Sequence, residues 1–300
     1  MPHLKFEVPD LKETDAWINT DQVDLEDGMS LVYFWNYSCS CCRTRLELFE
    51  KIHQECSDLS VLGIHDPRFD FERDIRNLKD NVERLDIRHP IVQDKSGKIS
   101  EAFDIAYSNS VLIIDSGKIE YQKPSNQDFE GLMKKLSEIM NLKDDVVKIG
   151  SDKQVEVPTK IFLGYDRAEG FNEEGNYPGE KKYRLPRNRK PGFVYLENRW
   201  NQKENYIEAS QNSELRFNFS SSKFSIVVSP NGSIKDVEVL VNGEKVSEAE
   251  LGDDLRLEDG KSYIRVKKPG VYNLIDSNDR KKEITLLPDK KTRIHSLNIN

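Results

Sequence analysis

One stretch constrains this chain more than any other: Leu31-Val32-Tyr33-Phe34-Trp35, then Asn36-Tyr37-Ser38, then Cys39-Ser40-Cys41-Cys42. An unbroken apolar run of this length, ended by a polar turn, predicts a strand buried on both faces. The residues that follow, Thr44 to Ile52, carry Leu46, Leu48, Phe49 and Ile52 at helical spacing. Strand, turn and helix thus place Cys39 at a helix start and Cys42 one turn further on. A helix N-terminus presents unpaired N–H groups and partial positive charge, and both favour a thiolate. A CxxC cysteine there is expected to have a lowered pKa and to attack disulfides. Its partner is expected to displace the mixed disulfide and release product. Cys39 is therefore the expected nucleophile and Cys42 the resolving thiol. Inert thiols and a metal site are the alternatives. A zinc site would want a second Cys or His pair, and the sequence has no second CxxC and no HxxxH.

All four cysteines, at 39, 41, 42 and 56, fall in the first fifth of the chain. That pattern is a redox site and not a disulfide framework. No cofactor is expected beyond a redox-active Cys39–Cys42 disulfide. With 300 residues the chain is long enough for two domains. A net charge of −8, with Lys and Arg dispersed, argues against nucleic acid as the main partner. A charged fraction of 33% and a mean hydropathy of −0.70 leave no run long enough for a membrane span. The first residues carry no apolar signal core. The expected location is cytoplasmic, or extracytoplasmic if a membrane or signal portion is missing.

The pattern along the chain predicts strands at 31–35 and 60–65. A helix follows with Ile75, Leu78, Val82 and Leu85 on one face, then a short strand at 90–92 and a short helix at 99–106. A strand at 110–115 turns through Ser116-Gly117 into 118–121, and a helix over 127–141 closes the unit. Residues 1–30 read as a lead-in. Residues 143–191, rich in Gly, Pro, Asn, Arg and Lys, read as a connector, and their basic run at 181–190 as a solvated face or a site for an acidic partner. From 193 onward, alternating short strands and turns predict an all-β sandwich or jelly roll. The expected domains are 1–145, a connector at 146–191, and 192–300. In the last of these, Trp200, Tyr195 and Tyr272 are candidates for stacking on a carbohydrate, Trp200 from a polar turn. No calcium loop is evident.

Several phrases resemble those of DipZ-type thioredoxin-like proteins. Trp35-Asn36-Tyr37-Ser38-Cys39 resembles their WTYSC approach to the redox motif, and His65 to Asp74 their HTPEFxFERD segment. Pro158 to Glu169 resembles SPETYLGYxRAE, and Gly270 to Leu274 a tyrosine strand near the C-terminus. The resemblance implies an α/β thioredoxin-like domain of the TlpA and peroxiredoxin branches, followed by a galactose-binding-like, carbohydrate-binding-module-like β-sandwich. It implies a thiol–disulfide oxidoreductase with a protein or small disulfide substrate, a reductase partner, and a sandwich that docks substrate or partner. In full-length members a CcdA-like membrane domain precedes both parts, and this sequence contains no such part. Two positions depart from the pattern. Asn109 stands where the fold normally has a cis-proline facing the thiols, and Tyr33 stands where a buried acid is common. Tyr107, Glu72 and His65 are the candidates to replace that acid, with Trp35, Tyr37 and Cys41 completing the surroundings. The competing functions are a non-catalytic interaction or carbohydrate-binding protein, and a soft-metal (copper) carrier through Cys39, Cys41 and Cys42.

Overall fold

The computed structural model describes residues 11, 16–20, 22–105, 110–123, 129–140, 159–168, 178–277 and 281–299. The chain divides into two compact units, Met1–Val157 and Pro158–Asn300.

The first unit is a thioredoxin-like α/β sandwich built on β2 (Met29–Trp35), the predicted central strand. Before it lies β1 (Ala16–Ile18). After it come α1 (Ser40–Glu55), β3 (Leu59–His65), a short 3-10 turn at Asp70–Arg73, α2 (Ile75–Arg84) and β4 (Ile91–Gln93). The unit continues through α3 (Lys98–Ala102), the hairpin of β5 (Val111–Asp115) and β6 (Lys118–Lys123), and α4 (Phe129–Met140). The sheet order is β1-β4-β3-β2-β5-β6. Strand β2 runs parallel to β3 and antiparallel to β5. Alternation along β2 explains why its apolar run is unbroken. Leu31, Tyr33 and Trp35 enter one core with Cys42, Leu46 and Phe49 of α1. Val32 and Phe34 enter a second core with Ile99 and Phe103. Each of these strand side chains is 2% exposed or less, which contributes about 1.5–3 kcal/mol per residue.

The first unit departs from the sequence reading at two elements, and the first is the helix expected at 99–106, which ends at Ala102. The lead-in supplies β1, whose Trp17 pairs with Val92 of β4 in an antiparallel edge. Three residues are too few to show a period, so the pattern was silent there.

The second unit is all-β among the described residues, apart from a 3-10 turn at Glu248–Glu250. Its strands are β7 (Thr159–Phe162), β8 (Gly179–Tyr183), β9 (Val194–Gln202), β10 (Ile207–Ala209), β11 (Glu214–Ser220), β12 (Lys223–Pro230), β13 (Lys235–Val241), β14 (Glu244–Lys245), β15 (Arg256–Glu258), β16 (Lys261–Val266), β17 (Gly270–Asp276), β18 (Lys281–Pro288) and β19 (Thr292–Ile299). Strand β9 joins two ladders. Its first half pairs with β11, and its second half with β10 and β8. One apolar core takes side chains from both ladders, among them Leu196, Phe217, Ile226, Val239 and Leu286. This is a β-sandwich.

Within the expected connector at 146–191, the described residues include two strands. Strand β7 pairs with β19, and β8 with β9, and both belong to the second unit. Strand β8 reads Gly-Glu-Lys-Lys-Tyr, and only Tyr183 is buried. A charged edge strand of this kind protects its free side against further pairing, which also hides it from a hydrophobic pattern. Of the basic run, Lys181 lies over the Tyr183 ring and Arg189 pairs with Glu283 at 2.8 Å. Among the described residues no helix is long and apolar enough to cross a membrane.

Candidate active site

The redox motif sits where β2 passes into α1. The backbone of Asp66 donates to Trp35 O at 2.8 Å, tying the end of β2 to the segment after β3. The turn Asn36-Tyr37-Ser38 is buried, and Cys39 N–H closes it on Asn36 O at 3.1 Å. Cys39 is the N-cap of α1, with extended backbone (φ −99°, ψ 109°). Cys42 N–H donates to Cys39 O at 3.2 Å, so the two cysteines lie one turn apart on one side of the helix. Neither is in a disulfide. Both side chains are buried, Cys39 to 1% exposure and Cys42 to 5%.

Glu72 anchors the turn in front of Cys39. Its carboxylate is fully buried and accepts the N–H of Ser38 at 3.2 Å, of Arg68 at 2.7 Å and of Phe69 at 3.0 Å. Burial pushes its pKa up to about 7, while those N–H donors pull the other way. Gln93 holds the backbone behind it, its amide donating to Glu72 O at 2.9 Å. His65 ends β3 beside it, with Nε2 4.0 Å from Glu72 Oε1. The His65 ring stacks on Tyr37 at 5.2 Å and meets Trp35 edge-on at 5.4 Å. Neither ring nitrogen is hydrogen-bonded, and burial drives the pKa down to about 3. His65 is therefore a neutral packing element at neutral pH. The hydroxyl of Tyr37 donates to Phe71 O at 3.2 Å, and burial raises its pKa first of all.

Below Cys42 the sequence reading misses a hydrogen-bonded series. Tyr33 Oη meets His89 Nε2, and His89 Nδ1 meets Glu50 Oε2 at 3.0 Å. Glu50 also accepts the backbone N–H of Arg88 and of His89. The three residues come from β2, from the segment before β4 and from α1, so no local motif announces them. The nearest signal is Gly63, opposite Tyr33 in the β2–β3 ladder. A Cβ on Gly63 would lie 2.6 Å from Tyr33 Oη and 2.5 Å from Ile91 Cδ1. Glycine is required there because the Tyr33 ring crosses that strand on its way to His89.

Of the remaining candidates, Asn109 and Tyr107 lie outside the described residues, as does the side chain of Cys41. Among the described residues no group of three or more His, Cys, Asp or Glu is arranged to hold a metal ion. The carbohydrate candidates are corrected. Trp200 is fully buried within β9, in a strand where a turn was expected, and its indole N–H donates to Glu197 O at 3.1 Å. Tyr195 is 4% exposed and its hydroxyl accepts Lys190 N–H. Tyr272 is 8% exposed and its hydroxyl donates to Lys268 O at 2.9 Å. Trp200 and Tyr272 pack in the sandwich core, and Tyr195 is buried outside that core against Lys190.

Comparison with known proteins agrees with this division. Residues 3–122 match the AhpC/TSA family, and residues 159–297 match the thioredoxin-like C-terminal domain. The chain is 23% identical over 142 residues to the thiol-disulfide oxidoreductase YkuV of Bacillus subtilis (strain 168), covering 46% of this chain and 96% of that protein. It is 25% identical over 187 residues to Protein DipZ of Mycobacterium tuberculosis (strain CDC 1551 / Oshkosh), covering 58% of this chain and 27% of DipZ. The chain thus spans about a quarter of DipZ. Among solved structures, a thioredoxin-like protein in the oxidized form aligns with 24% identity and a TM-score of 0.41, over 46% of this chain and 97% of that one.

Proposed function

We propose that this chain, an AhpC/TSA-type domain joined to a thioredoxin-like C-terminal domain, exchanges thiols for disulfides through Cys39 and Cys42. The observation that carries the reading is the place of Cys39 at the N-cap of a 16-residue helix, with Cys42 one turn inside. A thiolate at that position is favoured by the helix dipole and by N–H groups that have no partner within the helix.

The reaction follows thiol–disulfide chemistry. The Cys39 thiolate attacks one sulfur of a protein or small-molecule disulfide. A mixed disulfide forms, and the other substrate sulfur leaves as a thiolate and takes up a proton. Cys42 then attacks the Cys39 sulfur, closes the Cys39–Cys42 disulfide and releases the second substrate thiol. Two electrons pass to the substrate, and a reductase partner or small thiol must return them. The second unit is the part available to dock such a partner or the substrate. Where thiols are kept reduced, the chain works as a reductase.

Burial sets a condition on this cycle. A thiol that is 1% exposed meets a substrate sulfur only after its neighbours move aside. Exchange is therefore expected to be slower than for an open thiolate of equal basicity. The test is reduction of a generic disulfide by wild type, Cys39→Ser and Cys42→Ser. Wild type is expected to turn over, with Cys39→Ser inactive and Cys42→Ser arrested at the mixed disulfide. Equal activity in wild type and Cys39→Ser would refute the reading.

A further inference from the structure

A buried tyrosine, a buried histidine and a glutamate joined end to end need an explanation that packing alone does not supply. Tyr33 and His89 are 2% and 0% exposed, and their hydrogen-bonded contact lies between strands. An apolar side chain at each position would fill the same space without desolvating polar groups. The series runs in one direction, from the sheet under the redox motif to Glu50, whose side chain is 12% exposed. At its inner end, Tyr33 lines one narrow cleft together with Cys42, Arg45 and Phe49. The Tyr33 ring stacks on Phe49 at 4.2 Å, seven residues beyond Cys42 on the same helix.

We propose that Tyr33, His89 and Glu50 form the route by which the resolving thiol Cys42 loses its proton. The proposal rests on the thiol–disulfide reading above and assigns its second step. The hydrogen-bond partners fix the protonation pattern. With Glu50 accepting at Nδ1, that nitrogen carries the proton, and Nε2 offers its lone pair to the Tyr33 hydroxyl. As Cys42 attacks, its proton passes to Tyr33 Oη by way of a water molecule in the cleft that both residues line, while the Tyr33 proton moves to His89 Nε2. The Cys42 Sγ–Cys39 Sγ bond forms as the bond from Cys39 Sγ to the substrate sulfur breaks. The substrate sulfur leaves with that electron pair, and the imidazolium is held by the Glu50 carboxylate. The proton then leaves through Glu50.

The electrostatics of the three groups suit this role. Burial lowers the His89 pKa and Glu50 raises it in part, so His89 starts neutral and can accept a proton. Burial works against the Glu50 carboxylate, but His89 and the N–H donors of Arg88 and His89 hold its pKa below the ordinary value. Burial, Glu50 and then Cys42 raise Tyr33, so its hydroxyl relays a proton and is not left as a phenolate. The other titratable or charged groups around the series, among the described residues, are His53, whose ring is 6.0 Å from that of His89, and Arg45 on the cleft wall.

The test separates the two chemical steps in one reaction. Reduced protein, in a Cys41→Ser background, is mixed with a chromogenic aryl disulfide. The first coloured release reports attack by Cys39, and the second reports resolution by Cys42. In Tyr33→Phe and His89→Gln, the first phase is expected to stay within two-fold of the parent. The second is expected to slow at least ten-fold at pH 7, a threshold set below the roughly 10²–10⁴-fold that general-base catalysis supplies, and to keep rising with pH toward the ordinary thiol pKa of about 8.5. Glu50→Gln, at the outer end of the series, is expected to slow the same phase less and shift its pH profile upward. Should His89→Gln fail to fold, Tyr33→Phe and Glu50→Gln carry the test. A second phase in these variants that follows the parent from pH 6 to pH 9 would overturn the proposal, and so would equal slowing of both phases. A parent without any first phase overturns the thiol–disulfide reading itself.

Discussion

Replacing Glu72 with Gln probes the support beneath Cys39, and its effect is a pH dependence. In the folded protein the Glu72 pKa is pushed from 4.5 up to about 7 by burial. In the unfolded chain it returns to the ordinary value. Between those two pH values the folded state binds more protons than the unfolded state. Stability therefore falls as pH rises from 4.5 to 7, and is level beyond. Each pKa unit is worth 1.36 kcal/mol, so between pH 5 and pH 8 this one group removes about 2–3 kcal/mol. Glu72→Gln has its own cost, because an amide cannot accept from Ser38, Arg68 and Phe69 together, and a buried N–H left over costs about 1–3 kcal/mol. That cost is the same at both pH values and cancels in the comparison. The assay is urea unfolding followed by helical circular dichroism at pH 5 and pH 8, since the α-helices of the described residues all lie in the first unit. Wild type is expected to lose about 2–3 kcal/mol more than Glu72→Gln between the two conditions. Parallel pH dependence in the two proteins would refute the assignment of a buried carboxylate with a raised pKa beneath the redox turn.

Gly63→Ala places a Cβ 2.5–2.8 Å from Ile91 and Tyr33, so it is expected to destabilise the first unit by about 1–3 kcal/mol in the same urea assay. Trp200→Ala removes a fully buried indole and is expected to cost about 3–5 kcal/mol, read as faster hydrogen exchange over Val194–Gln202. His295, buried between Ser229 and Asn205 O, has its pKa driven down to about 3 by burial. Its contribution to the second unit is complete above pH 6.5 and is lost as pH falls toward 3. Protection of the β19 amides, corrected for the intrinsic exchange rate at each pH, is expected to fall on acidification across that window in wild type and less so in His295→Gln.

Much of the first unit was legible because its signals are local. The β2 run, the helical spacing behind Cys42 and the Ser116-Gly117 turn each lie within a dozen residues, and these three signals gave a strand, a helix and a hairpin where they were expected. What escaped depends on pairing between distant segments. Strand β1 is an edge of three residues, and β8 is charged except at Tyr183, so neither carries an apolar period. Trp200 follows Glu197-Asn198-Arg199, a polar string that reads as a turn. In the fold, Asn198 takes a positive φ of 64° where β9 passes from one ladder to the other, and the next inward position buries the indole. In the site, Cys39, Cys42, Glu72 and His65 were all named from sequence, and the structure brings Glu72 and His65 together beneath the turn before Cys39. His89 and Glu50 were not named. Each is an ordinary polar residue until the sheet brings Tyr33 across Gly63 to meet them.

The most direct test of the account is to find which sulfur attacks. Cys42→Ser protein, reduced and then exposed to a disulfide substrate, is digested and the mixed disulfide is located by mass spectrometry. The account predicts the adduct on Cys39, with wild type under the same conditions carrying a Cys39–Cys42 disulfide and free product. An adduct confined to Cys41 or Cys56, or no adduct while the protein is folded, would contradict it.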